Sequence, residues 1–157
     1  ETIAHAVEQR RLPEAHVLSE SRQELRHLMM TRRGLVETRS CQITTIGGIG
    51  TSFGIAFPKC ESEDFATVMH DRRVKLPDRV RVLVEPLLQL VVTANEQLRL
   101  LDERLEAVCA ADEVAQKLMT APSVGPVIAG MFISVIDSAE RFRSGRQVAS
   151  YLERQTG

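Results

Sequence analysis

The residues whose types and spacing could do chemistry in this chain lie around one short turn. The segment Pro122-Ser123-Val124-Gly125-Pro126 fits a Pro-Gly-apolar-Gly-Pro pattern in which serine replaces the first glycine. A turn of this kind, followed by a helix start, presents free backbone N–H groups, and a small residue lets a phosphate come close to them. The pattern therefore predicts a helix-hairpin-helix-like turn that holds a nucleic-acid backbone without reading its sequence.

The same turn has a second interpretation. It could be a plain corner between two helices, with Pro126 at the first helical position, where proline is well tolerated. Ser123 stands where glycine would most easily reach the backbone conformation that the pattern requires. The turn by itself does not decide between these two interpretations.

Arginines form the second group of candidate phosphate contacts. The net charge is −1, but residues 22–39 carry five Arg against two Glu, and residues 71–81 carry four Arg and one Lys against two Asp. Residues 82–113 carry two Arg against seven acids. Basic patches suit phosphate contact, although a solvated helix face has the same composition. The predicted nucleic-acid-binding residues are Arg22, Arg26, Arg33, Ser123, Gly125, Arg141, Arg143 and Arg146.

Composition argues against several other kinds of site. Cys41, Cys60 and Cys109 form no CxxC pair, which speaks against a disulfide scaffold and a zinc site and suits a reducing cytosol. The four histidines have no metal-ligand spacing and the acids form no two-metal pattern, so we predict no catalytic residue and no metal ligand in this chain. No apolar run approaches the roughly 20 residues of a membrane span, so we expect a cytoplasmic protein without a membrane partner.

The elements that must position these groups are predicted to be helices, because Leu, Val, Ala, Glu and Arg dominate the composition. A first long helix is predicted from a capping box of Ser21 and Glu24, with Ser19 as a rival cap, to the glycines that begin at residue 47. Residues 47–60 are predicted to be a loop or broken helix, and residues 62–73 a short helix.

The longest predicted helix opens at Leu76-Pro77-Asp78, bends at Pro86 and runs through residue 109. It carries a heptad seam with one four-residue insertion, formed by Leu83, Leu87, Leu90, Ala94, Leu98, Leu101, Leu105 and Val108. Such a helix must pack against another long helix, and the preceding one gives an antiparallel coiled-coil-like arm. The apolar faces left over favour dimerisation, and the predicted dimerisation residues are Leu87, Leu90, Leu98, Leu101 and Leu105.

The order of several motifs resembles one protein family. The run Leu118-Met-Thr-Ala-Pro-Ser-Val-Gly-Pro, then Asp137, then Arg141-Phe-Arg-Ser-Gly-Arg-Gln-Val-Ala-Ser-Tyr-Leu closely resembles the DEDD transposases of insertion-sequence family one-ten. Upstream, Gln23-Glu-Leu-Arg and Arg32-Arg-x-Leu-Val-x-x-Arg look like the segment after that family's first catalytic domain, and the long helix looks like its coiled-coil arm. The resemblance covers residues 3–152. Beyond it the family continues Gly-Leu-x-Pro, whereas this chain reads Glu153-Arg-Gln.

The resemblance implies a DNA transposase or recombinase with a RuvC-like nuclease domain of four acidic metal ligands first and a serine-nucleophile domain last. We expect this chain to be an internal fragment: residues 1–18 the tail of the RuvC-like domain, residues 19–112 the arm, and residues 113–157 the start of the C-terminal transposase domain. On its own it is predicted to be inactive and to need no cofactor, while Mg²⁺ is expected for the full-length family. The implied partners are DNA and, in some members, a structured guide RNA. A homo-oligomer is expected from the apolar faces of the arm.

A different class of function is the alternative. In a non-enzymatic helical adaptor or structural dimerisation protein, the Pro122–Pro126 turn is only a corner. Salt-sensitive binding of DNA separates this alternative from the transposase fragment. An independent enzyme is disfavoured, because no nucleophile–base pair or metal cluster is visible in the sequence.

Overall fold

The computed structural model describes residues 18–71, 75–136 and 146–147. Within these residues there are helices and no strands, so the prediction of an all-α fold is confirmed. The helices are α1 (Glu20–Ser52), α2 (Phe65–His70), α3 (Asp78–Ala111), α4 (Glu113–Met119) and α5 (Pro126–Val135), and residues 146–147 are also helical. None of the described helices is both long enough and apolar enough to cross a membrane.

The two long helices form the predicted antiparallel arm. α1 has 33 residues and α3 has 34, so each is about 50 Å long at 1.5 Å per residue. Three polar pairs join them: Arg22 with Asp112, Arg32 with Asp102, and Arg39 with Asn95. From one pair to the next, the residue number on α1 increases by the same amount as the residue number on α3 decreases. All three pairs therefore belong to a single antiparallel register.

An apolar cluster, which we call the tip cluster, closes the arm where α1 ends and α3 begins. Its buried members are Ile46, Phe65, Ala66, Met69, Val80, Val84, Leu88 and Val91. Gly50 of α1 lies against Phe57, whose ring packs edge-on against Phe65 with centroids 6.4 Å apart. The short helix α2 therefore caps the open end of the two-helix arm and buries surface that two helices alone would leave in water.

A second apolar cluster, the base cluster, joins four helices at the other end of the arm. Its buried members are Leu25, Leu105, Cys109, Ala115, Ala129 and Ile133, from α1, α3, α4 and α5. α5 comes close to the arm at Gly130, where an added Cβ would lie 2.6 Å from Cδ1 of Leu105 and 3.4 Å from Sδ of Met29. Glycine at position 130 therefore permits this close approach of α5 to both long helices.

Polar side chains separate the two clusters, in a region that we call the polar waist. Arg39 is 9% exposed and donates from Nη1 to Oδ1 of Asn95 at 3.0 Å, with Oε1 of Glu63 at 3.8 Å. Asn95 in turn donates to the backbone carbonyl of Glu63 at 3.0 Å, while Nε of Arg39 has no hydrogen-bond partner. Two turns further along α3, Arg32 binds both carboxylate oxygens of Asp102. The waist therefore positions the segment before α2 as well as the two long helices.

The buried seam of α3 differs from the predicted one in its first half. Leu98 and Leu105 are buried as expected, but Leu83 and Leu90 are each 50% exposed. The arm instead buries Val80, Val84, Leu88 and Val91. Valines form an apolar stripe next to the leucines, and the tip cluster selects the valine stripe because α2 packs over it. Counting leucines alone could not distinguish two neighbouring apolar faces of one helix.

The ends of α1 also differ from the prediction. The N-cap is Ser19, the rival of the predicted Ser21 box, and its side chain caps no backbone N–H. The helix does not stop at residue 47 but runs through Ser52, and the chain turns at Gly54, where φ is 70°. Gly47 and Gly48 cost about 1 kcal/mol each in a helix, and the packing of Ile46 and Gly50 in the tip region outweighs that cost.

Two alanine substitutions at glycine test the close approach of α5. Gly130→Ala forces Leu105 and Met29 to move, so we expect a loss of about 1 kcal/mol after the helix-propensity gain is subtracted from the overpacking cost. Gly34→Ala on α1 is the matched control, because its Cβ would meet nothing within 4 Å. It should raise the free energy of unfolding by up to about 1 kcal/mol. Urea denaturation measures the free energy of unfolding of both variants. Equal changes for the two substitutions would contradict the close packing at Gly130.

The Asp112 carboxylate gives the base of the arm a pH dependence. Burial alone would raise its pKa, but hydrogen bonds from the Ala115 N–H and from Arg22 hold the pKa below its ordinary value of 3.8. The stabilisation is therefore present above that ordinary value and is lost as the pH falls through the lower folded-state pKa. Asp112→Asn should cost about 1 kcal/mol at pH 7, because it keeps a capping side chain and loses the charge pair.

Denaturation of the wild type and Asp112→Asn at pH 7, 5 and 3 measures this effect. The difference between the two proteins should persist at pH 5 and shrink at pH 3. Glu113→Gln is the control, since Glu113 is an exposed acid in the same helical turn and has no ion pair with another described residue. A constant difference at all three pH values would show that the Asp112 charge contributes nothing to folding.

Candidate nucleic-acid interface

The predicted turn joins α4 to α5 as a tight hairpin. The Ala121 N–H donates to the Leu118 carbonyl at 3.1 Å, and the Val124 N–H donates to the Ala121 carbonyl at 3.2 Å. Between them Ser123 has a φ of 67°, in the left-handed region that glycine adopts most easily. The backbone therefore takes the glycine-type conformation at the position where serine replaces the glycine of the sequence pattern.

Gly125 is the N-cap of α5 and leaves the start of that helix open. Its backbone is extended, with φ −100° and ψ −177°, and no side chain caps the helix. A Cβ built on Gly125 would meet nothing within 4 Å, and Ile128 in the first turn is 54% exposed. The first helical hydrogen bond is the one from the Ala129 N–H to the Gly125 carbonyl. The earlier N–H groups therefore have no acceptor within the helix and can receive an anion.

Three contacts hold this turn on the end of the arm. The buried Cys109 thiol lies 3.5 Å from the Pro126 carbonyl, and burial raises the pKa of this thiol, so it is a neutral donor to that carbonyl. Asp112 accepts from the Ala115 N–H at 2.8 Å and thereby caps α4. The same carboxylate binds Nη2 of Arg22 at 2.6 Å. The turn is thus connected through α4 to the first turn of α1.

The predicted arginine stripe is divided by the fold. Arg22 has only 15% of its side chain exposed and is engaged with Asp112, so it holds the base together rather than facing solvent with the others. Arg26 and Arg33 are exposed, and Arg33 pairs with Glu37 one turn away at 2.9 Å. The correction arises because Arg22 lies in the first turn of α1, beside Asp112 at the end of α3, whereas Arg26 and Arg33 lie further along α1.

Arg26 and Arg33 share a groove with α5. The groove has a volume of about 530 Å³ and is lined by side chains of α1 and α5. Its apolar lining residues are Met29, Met30, Val36, Val127, Met131 and Val135. Because Val127 belongs to the first turn of α5, the two exposed arginines lie on the same side of the molecule as the open helix start.

The remaining predicted site residues have mixed placements. Arg141 and Arg143 lie outside the described residues, and Arg146 is exposed. Of the predicted dimerisation residues, Leu98 and Leu105 are buried inside the arm, Leu87 and Leu101 are half-buried, and Leu90 is half exposed. In the part of the chain that the structure describes, no three His, Cys, Asp or Glu side chains come together as a metal site.

Sequence reasoning missed Asp112, which connects the arm to the turn. The available signal was an aspartate immediately before Glu113-Val114-Ala115, which is a typical N-cap sequence. It was obscured because residues 82–113 form one long acidic run, in which a capping acid cannot be told from its exposed neighbours.

Comparisons with known proteins point to transposases. Residues 115–152 match the family model described as the transposase of the IS116/IS110/IS902 family. The chain is 26% identical over 156 residues to a probable family 20 transposase of Pseudomonas aeruginosa, covering 97% of this chain and 46% of that protein. It is 23% identical over 133 residues to the transposase for insertion sequence element IS1111A of Coxiella burnetii, covering 83% of this chain and 36% of that protein.

The chain thus spans less than half the length of either of these relatives. No solved structure is significantly similar to it. The matched segment begins in α4 and contains the turn and α5, so the part of the chain that is similar to the transposase family model includes the open helix start at Gly125.

Proposed function

We propose that this chain is a nucleic-acid-binding and self-associating part of an insertion-sequence transposase. The observation that carries the proposal is the uncapped start of α5, which lies inside the segment that matches the transposase family model. For the whole protein we propose Mg²⁺-dependent DNA transposition by a RuvC-like and a serine-containing centre, both outside these residues, and in some relatives guidance by a structured RNA. No step of that chemistry is assigned to residues of this chain.

The turn would hold one phosphate of the nucleic-acid backbone. The free N–H groups at the start of α5 supply donors, and the positive end of the helix dipole favours an anion. Gly125 has no side chain to keep the phosphate away, and the space beside it is open. Such a contact depends on backbone geometry and not on base identity, so it positions DNA without selecting a sequence.

Arg26 and Arg33 would bind neighbouring phosphates. Both are exposed and line the groove against α5, so a backbone that reaches the turn can pass them. The weak surface pair of Arg33 with Glu37 would be exchanged for a phosphate at little cost, because an exposed pair contributes less than about 1 kcal/mol. Arg22 is excluded from this set by its contact with Asp112.

Self-association would use the outward face of α3. Leu83 and Leu90 are 50% exposed and Leu100 is 48% exposed, although all three are large and apolar. In an antiparallel pairing of two copies, Leu90 would lie near Leu100 of the partner subunit. The apolar face can therefore pack against its own copy, which is what a two-fold interface requires.

The salt dependence of DNA binding tests the proposed interface. If three or four phosphates are neutralised, affinity for duplex DNA should fall roughly 40-fold to 150-fold between 50 and 200 mM salt. Arg26→Gln with Arg33→Gln should flatten the slope of log affinity against log salt by about 1.8, since each phosphate contributes about 0.9. Fluorescence anisotropy with a labelled duplex measures the slope, and random-sequence duplexes should bind equally well.

Arg99→Gln with Arg104→Gln is the matched control, because it removes the same charge from exposed positions on α3. Its slope should equal that of the wild type. Gly125→Val should weaken binding at unchanged slope, because the valine side chain blocks backbone approach and its Cβ would meet nothing within 4 Å. If no duplex DNA or structured RNA binds at 50 mM salt, the proposed nucleic-acid interface is wrong. The alternative of a non-enzymatic helical adaptor then remains.

Sedimentation tests the outward face of α3. The wild type should sediment as a dimer, and Leu83→Glu with Leu90→Glu should sediment as a monomer of unchanged helicity, because both side chains point away from the core. Thr44→Glu with Thr51→Glu is the control, since these exposed positions on α1 have the same seven-residue spacing. A wild-type monomer, or a dimer that survives the leucine substitutions, would rule out this interface.

A further inference from the structure

The tip of the arm carries a basic surface that neither the sequence comparison nor the turn accounts for. Residues 71–81 have a net charge of +3, from five basic and two acidic side chains, whereas residues 82–113 have a net charge of −5, from two basic and seven acidic ones. The long helix α3 therefore begins in a basic region and continues as an acidic shaft. We define the basic tip by Lys75, Arg79 and Arg81, at and just before the start of α3, together with the aromatic ring of Phe53, which Arg79 contacts.

The cations of the basic tip are largely uncompensated. No carboxylate of the described residues lies within 4.0 Å of Lys75 or Arg79, both of which are exposed. Arg81 reaches Asp78 only at 4.0 Å, and the Asp78 side chain is 97% exposed. An exposed pair at that distance neutralises little charge. These side chains are therefore available to an anionic partner.

Two structural features of the basic tip suit it to binding an anion. The guanidinium of Arg79 stacks over the Phe53 ring at 5.3 Å from the centroid, and Phe53 is 41% exposed. Stacking on an aromatic ring limits the positions of an arginine and leaves its N–H edge free for a phosphate. A separate cavity of about 530 Å³ opens between α2 and α3, and its charged lining consists of His70, Lys75 and Arg81 with the single acid Glu85.

We propose that the basic tip is a second nucleic-acid contact, which binds the phosphate backbone about 50 Å from the turn at the other end of the arm. The choice of nucleic acid as the polyanion rests on the proposed function, whereas the existence of an anion-binding surface rests on the tip itself. An acidic shaft between two basic ends repels phosphates along its length. It therefore favours a nucleic acid that is contacted at the ends, and 50 Å corresponds to about 15 base pairs at 3.4 Å each.

The experiment compares Lys75→Gln with Arg79→Gln against the shaft control Arg99→Gln with Arg104→Gln, which removes the same charge. The probes are a 30-base-pair DNA duplex, a 10-base-pair duplex and a 30-nucleotide RNA hairpin, each measured by anisotropy in the full chain. We expect the tip variant to bind the long DNA or the RNA at least tenfold more weakly at 50 mM salt and to lose about 1.8 from the salt slope. The shaft control should match the wild type.

The length of the DNA duplex and the stacking of Arg79 on Phe53 provide two further tests. The wild type should prefer the 30-base-pair duplex over the 10-base-pair one by more than the number of overlapping sites explains, and the tip variant should lose that preference. Phe53→Leu should weaken binding about two- to fivefold by removing the stacked arginine's support. If the tip variant binds DNA alone, RNA alone or both more weakly than the wild type, the result identifies which nucleic acid supplies the phosphates. Each of these three results supports the proposal.

Two results would overturn it. If the tip variant binds every probe like the wild type while Arg26→Gln with Arg33→Gln weakens binding, the second contact is absent and the proposed function stands. If the wild type binds no probe at 50 mM salt, the tip contact and the proposed function fail together. Circular dichroism of the variants establishes that the helices are intact, which is expected because Lys75 and Arg79 are exposed and lie outside the tip cluster.

Discussion

The antiparallel register of α1 and α3 is the constraint on which the other features depend. Arg39 is buried and held by Asn95, and sliding one helix by a turn would leave its charge unpaired in the interior, which costs several kcal/mol. The same register brings Arg22 to Asp112, and Asp112 also caps α4. The position of the turn at Gly125 is therefore set by polar pairs that begin in the middle of the arm.

The distribution of charge on the surface depends on which arginines are paired between the two long helices. Arg22, Arg32 and Arg39 are taken up between the long helices, so the face of α1 is less basic than its composition indicates. Among the described residues, exposed cations without a carboxylate partner are found toward the two ends, at Arg26 near α5 and at Lys75 and Arg79 where α3 begins. Composition locates charge along the chain, and packing decides which part of it reaches the solvent.

The helical class, the hairpin arm, the long α3 and the corner at Pro126 were all predictable, because period, length and proline placement are local signals. The valine face of α3 was not, since the tip cluster that selects it is formed with Phe65 and Met69 from another helix. The engagement of Arg22 was missed for the same reason, because its partner Asp112 lies 90 positions away in sequence. Ser123 adopts a positive φ that its residue type disfavours, and only the sequence pattern around it indicated that conformation.

The stiffness of the arm has a geometric effect. Both apolar clusters and the polar waist bind α1 to α3 along their length, so the two helices move as one rod of about 50 Å. A pivot of ten degrees where α5 rests on Gly130 would sweep the far end through roughly 9 Å, or between two and three base-pair steps. A small rearrangement around Gly130 would thus produce a much larger displacement at the far end of the arm, comparable to the spacing of base pairs.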